Sequence, residues 1–160
     1  MPVPRSVAFR WLVLGVIGCS GAGDPHDPCD PIGGPSVERA RFGGIDYRVT
    51  GGLSGDGNGT SLHIEANGAV TRETLEHGTE QGRIDQATVD ALVSKVRSAQ
   101  FATLCSMYQC SGCADDFVDE VSVHLDDVTV TARASQLGDP PAGLQDLITA
   151  LRQVIEGPLR

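Results

Sequence analysis

Cys105, Cys110 and Cys113 form the densest group of chemically capable side chains in the sequence, spaced Cys-x4-Cys-x2-Cys. Thiolates at this spacing match the first three ligands of a [2Fe–2S] site whose fourth cysteine lies downstream. No cysteine follows Cys113, so that chemistry is set aside. The same three thiolates could join Cys29, His77 or His124 around a tetrahedral zinc. Cys110-Ser111-Gly112-Cys113 could also be a redox pair. Redox thiols are activated at helix N-termini or beside cations. Here the chain continues Ala114-Asp115-Asp116-Phe117-Val118-Asp119-Glu120, and negative neighbours raise a thiol's pKa. The plainest reading is a loop closed by disulfides. It joins Cys105 to Cys110 or Cys113, leaves the remaining thiol to Cys29, and requires no cofactor. A metal held by Cys105, Cys110 and Cys113 stays as the alternative.

Other groups carry less. Asp115, Asp116, Asp119, Glu120, Asp126 and Asp127 crowd a stretch free of Lys and Arg, and hard cations favour such oxygens. A solvated acidic face with aspartates in its turns is the better explanation of them. Asp56, Asn58 and Thr60 sit like the first ligands of an EF-hand loop, but Ser61 and Asn67 stand where Gly and Glu are needed. That stretch reads as a glycine-rich turn. No Gly-x-Ser-x-Gly or His-Glu-x-x-His is present, and the histidines read as exposed residues in or beside strands. No catalytic residue is assigned.

The first 18 residues read as a cleavable signal peptide. Arg5 and Arg10 supply its positive region, and Trp11 to Ile17 an apolar run too short for a membrane span of about 20 residues. Val16-Ile17-Gly18-Cys19 follows and resembles the lipobox of bacterial lipoproteins. The resemblance implies cleavage before Cys19, acylation of its thiol (palmitate among the chains), and attachment to a membrane facing the periplasm. Ser20 rather than Asp after the cysteine implies the outer membrane. Of the five cysteines, acylation of Cys19 leaves four, enough for two disulfides in an oxidising compartment. The formal charge of −9 becomes more acidic once both signal arginines are lost. Phosphate backbones repel such a chain, so nucleic acid is not an expected partner.

Residues 19–40 are read as the lipidated cysteine and a Pro/Gly-rich tether that cannot bury enough apolar surface to fold. Residues 41–160 are read as one domain. Ile45, Tyr47 and Val49 alternate with polar residues, Leu62 and Ile64 mark a second strand, and Asn67-Gly68 turns the chain into a third. A short fourth near Gly82–Ile84 is left open. Asp85 is placed to cap a helix over 86–99 with Val89, Leu92, Val93 and Val96 on one face. Val121, Val123 and Leu125, then Val128 and Val130, predict a hairpin turning at Asp126-Asp127. Pro140-Pro141 open a last helix whose stripe is Leu144, Leu147, Ile148, Leu151, Val154 and Ile155. The expected fold is α+β: an antiparallel sheet, chain order β-β-β-α-β-β-α, with two helices packed on one face.

Ala66-Asn67-Gly68-Ala69-Val70, Ile84-Asp85-Gln86-Ala87-Thr88-Val89, Phe101 and Pro140-Pro141-Ala142-Gly143-Leu144 resemble a family of small uncharacterised bacterial envelope domains. That resemblance implies a fold and brings no catalytic residues. The expectation is an exported, lipid-anchored envelope protein, non-enzymatic, held to the membrane by its N-terminal lipid and binding a protein partner. The alternative is a metal- or redox-active module built on Cys105, Cys110, Cys113 and the neighbouring acids.

Overall fold

Ile45, Tyr47 and Val49 form the inward side of β1 (Phe42–Gly51), the central strand of a seven-stranded sheet. The computed structural model describes residues 31–33, 39–52, 59–110, 113 and 115–160. The signal segment, Cys19, Cys29, and Asp56 and Asn58 lie outside the described residues. The other elements are β2 (Ser61–Glu65), β3 (Ala69–Thr74), β4 (Gly78–Arg83), α1 (Gln86–Ser98), β5 (Met107–Tyr108), β6 (Phe117–Leu125), β7 (Val128–Ser135) and α2 (Ala142–Glu156). In space the strands run β4-β3-β2-β1-β6-β7-β5. None of the described helices is long and apolar enough to cross a membrane.

The α+β class holds, and three details differ from expectation. Four strands precede α1. The fourth, β4, contains no apolar residue, so alternation could not reveal it; as an edge strand it needs only backbone pairing to β3. The cysteine loop is not wholly irregular, because Met107 and Tyr108 pair parallel with Arg133 and Ala134. The sheet is therefore mixed, with a parallel edge. Third, the turn between β2 and β3 spans Ala66, Asn67 and Gly68, with only Gly68 at positive φ (+84°). The Gly68 N–H returns to Glu65 O at 2.9 Å. A Cβ on Gly68 would meet Ile84 O at 2.7 Å, so the position needs glycine twice over.

Register places directly opposed residues on one face. Tyr47 faces Leu62 and Val121, Ile45 faces Ile64 and Val123, and Val121 faces Ala132. These residues form one core with Leu92 and Val96 of α1 and Leu144, Leu147, Ile148, Leu151 and Val154 of α2. Val93 and Ile155 sit only partly buried at its margin. The Asp85 carboxylate accepts the Thr88 N–H at 2.8 Å, which starts α1. Arg72 ends α2, its Nη1 donating to the carbonyls of Ile155 at 2.5 Å and Gly157 at 2.6 Å. Contacts with the body begin inside the stretch read as tether: Pro31 pairs with Cys105, and Ile32 N donates to Leu104 O at 2.9 Å.

Candidate functional site

With both described helices on one face, the pleat turns Asp46 and Arg48 of β1 to the other, where no described helix covers them. Register then lays polar rows across the strands. One row runs Gln81, Thr71, His63, Asp46, Ser122, Thr131 from β4 to β7. The next runs Thr79, Glu73, Ser61, Arg48, Glu120, Arg133. Ser61, Thr71 and Ser122 are short and floor a trough of about 330 Å³ lined also by Asp46, Arg48, His63 and Glu120.

Two carboxylates organise this face. Asp46 Oδ1 lies 2.5 Å from His63 Nδ1, and Oδ2 lies 2.6 Å from His124 Nε2. Partial burial pushes the Asp46 carboxyl up, but hydrogen bonds from His63 and His124 outweigh it and hold it below the usual carboxylate range. It is thus an ionised acceptor, so both ring nitrogens facing it carry hydrogen. In the neutral ring His124 Nδ1 then accepts from Thr129 Oγ1 at 2.9 Å. His124 stands opposite Gly44, and a Cβ there would come within 3.7 Å of the imidazole and 2.7 Å of Ile64 O. The Ile64 carbonyl, rather than the ring, is what leaves no room for a side chain at Gly44. Glu120 repeats the scheme with Arg48 Nε at 2.7 Å on Oε1 and Arg133 Nε at 2.5 Å on Oε2. Burial raises its pKa, and the two guanidinium hydrogen bonds more than reverse that.

The inner side of the same two strands holds a separate network. Tyr47 donates its hydroxyl to Asp119 Oδ1 at 2.6 Å, and Arg152 Nη2 reaches both Asp119 oxygens at 2.8 and 2.7 Å. Burial, then the bond to Asp119, pushes the Tyr47 hydroxyl well above its ordinary value. Burial alone would lower Arg152, but Asp119 and Tyr47 reverse this and raise it.

The cysteines are arranged otherwise than expected. Cys110 bonds to Cys113, with Cα atoms 5.6 Å apart, so neither pairs with Cys105. That separation sits at the usual disulfide distance, with only two residues between the cysteines in sequence. Cys105 is disulfide-bonded as well, to a cysteine outside the described residues. Its N–H donates to the Tyr108 hydroxyl at 2.9 Å. With two thiols joined to each other, Cys105, Cys110 and Cys113 do not converge as ligands, and no metal-holding group occurs among the described residues. His77 lies in the turn before β4, at the edge opposite β5 and the cysteine loop, while His124 spends both nitrogens on Asp46 and Thr129.

The acidic stretch is dispersed by the pleat. Asp119 points into the core and Glu120 outward, Asp116 takes the Ser135 hydroxyl, and Asp126 accepts the Arg41 N–H at the far end of the hairpin. Asp46 and His63 resemble the orienting half of a triad, yet His63 Nε2 touches no hydroxyl among the described residues, and a nucleophile must bond its base.

Sequence reasoning missed Asp46, Arg48, Arg133, Tyr47 and Arg152 as functional or structural polar groups and took His63 and His124 for filler. Only the alternation of β1 hinted at an outward polar face. Compared with known proteins, the chain matches no family model and no curated sequence, so its likeness to lipoproteins and envelope domains rests on its own residues.

Proposed function

We propose that the chain is an exported lipoprotein, acylated at Cys19 and anchored at the outer membrane, whose open sheet face binds another envelope component without catalysing a reaction. One observation carries the binding half: a sheet face with none of the described helices over it, bearing carboxylates held between paired cations and imidazoles rather than loose surface charge. Side chains fixed this way lose little entropy on meeting a partner. Export is supported by the Val16-Ile17-Gly18-Cys19 box behind its charged and apolar regions, and by disulfides at Cys105, Cys110 and Cys113.

The test uses the full chain in a Gram-negative host, with a photo-crosslinking residue at Ser122 or Thr71 on the open face, or at Ser94 on α1 as control. Labelled palmitate incorporated in wild type and lost in Cys19→Ala, with crosslinks from Ser122 and Thr71 but not Ser94, supports the reading. An unlabelled wild type sinks the anchor, and equal yields from both faces sink the binding surface. Free thiols with bound metal in the purified protein would favour the cysteine-centred alternative instead.

A further inference from the structure

We propose that the trough on the open sheet face is a binding site for a small organic anion, a carboxylate or phosphate ester, grasped by Arg48. This deepens the reading of that face as a binding surface. The argument begins from which hydrogen-bonding capacity is spent. Each oxygen of Asp46 already takes an imidazole N–H, and each oxygen of Glu120 takes an arginine. The donors are not exhausted. Arg48 places Nε and Nη2 on the same Glu120 oxygen, which leaves Nη1 over. Arg133 commits only Nε, and the Ser61 and Thr71 hydroxyls on the trough floor bond to nothing among the described residues. A ligand entering here meets spare donors and occupied carboxylates, which selects an acceptor. The volume, about 330 Å³, lies at the small end of ligand sites.

His63, whose Nδ1–H is committed to the Asp46 carboxylate, lines the same trough. The charged and titratable groups around it are Asp46 and Arg48 from β1, Glu65 from β2 and Glu73 from β3. Arg83 comes from β4, Glu120 and His124 from β6, and Arg133 from β7. Glu65 and Glu73 make the rim acidic, so affinity must come from direct contact rather than long-range attraction.

Calorimetric titration of the full-length protein in detergent with citrate, inorganic phosphate or glucose, at one neutral pH, tests this. Saturable binding of citrate or phosphate is expected, with none for glucose, and the preferred anion tells carboxylate from phosphate recognition. Arg48→Gln should weaken binding about tenfold, and Ser61→Asp, at a partly exposed floor position, checks the same point should Arg48→Gln misfold. No anion binding, or unchanged binding in both folded variants, overturns the proposal. Crosslinking from the open face without anion binding removes this inference alone. Anion binding without crosslinks removes the partner-protein reading alone.

Discussion

Replacing Asp119 by Ala tests how the two halves of the domain are joined, because its carboxylate ties β6 to β1 and to α2. Asp119 is 4% exposed and Tyr47 is 1% exposed, whereas the Arg152 side chain is 44% exposed. Truncating one member of a fully buried ion pair costs about 3–5 kcal/mol. Here the stranded guanidinium can rehydrate, so the charge contribution falls towards the surface value of about 0–1 kcal/mol. The Tyr47 hydroxyl cannot rehydrate. It loses its acceptor inside the core, worth about 1–3 kcal/mol. The expected loss is about 2–3 kcal/mol out of about 5–15 for a domain of this size.

Tyr47→Phe alone leaves Asp119 paired with Arg152 and should cost about 1–1.5 kcal/mol. In the Asp119→Ala background the hydroxyl has lost its acceptor and keeps only the Arg152 Nε–H at 3.1 Å, so the same change should cost much less. Urea unfolding of the two single variants and the double variant, with m-values compared, gives the coupling. A coupling of about 1 kcal/mol or more is expected. Effects that add within about 0.3–0.5 kcal/mol would refute a shared network.

Three further outcomes follow from the same geometry. Leu151, fully buried in α2, should cost about 2–5 kcal/mol as Leu151→Ala, read from the urea midpoint; an unchanged midpoint would put the stripe outside the core. Folded Tyr47 keeps its proton beyond the pH at which the unfolded hydroxyl releases it, so the unfolded state holds fewer protons above about pH 10. The Tyr47 contribution should be level below that pH, and stability should fall above it, less steeply in Tyr47→Phe; parallel curves would deny the shift. Peptide mapping of unreduced protein should recover Cys110 joined to Cys113, and Cys105 joined to Cys29, whose near neighbour Pro31 lies against Cys105. Alkylation of all four thiols would contradict it.

The legible elements were those whose burial shows in their own sequence. The stripe of α2, the cap and face of α1, and the alternation in β1, β6 and β7 each place apolar residues against the core. β4 hid because an edge strand of Gly, Thr, Glu, Gln and Arg owes its place to backbone bonds with β3. β5 hid because two residues carry no period. The outward array hid for a different reason. Asp46 meets His124 and Arg48 meets Glu120 across 78 and 72 residues of chain, and only the β1–β6 register brings them together. The Cys110–Cys113 bond was obscured by rival pairings of similar reach, which spacing cannot rank.

That register deserves a physical cause, and the inner network supplies one. A slip of one residue between β1 and β6 exchanges the faces of every side chain on the slipped strand. It would turn Asp46 and Arg48, or Glu120 and Ser122, into a core where nothing matches their charges. Apolar pairing alone resists this, since Tyr47 faces Val121 and Ile45 faces Val123. A two-residue slip is different: it keeps apolar residues inside and is opposed only by specific partners. Tyr47 to Asp119 is such a partner, a hydrogen bond inside the core between residues on paired strands. Moved by two, Asp119 would lose both Tyr47 and the guanidinium of Arg152, which α2 holds in place. On the outer face the same slip would part Arg48 from Glu120 and Asp46 from His124. Asp119 and Glu120, adjacent in sequence, thus serve opposite sides of one alignment: the inward acid opposes a slip from within the core, and the outward acid meets its two arginines only in that register.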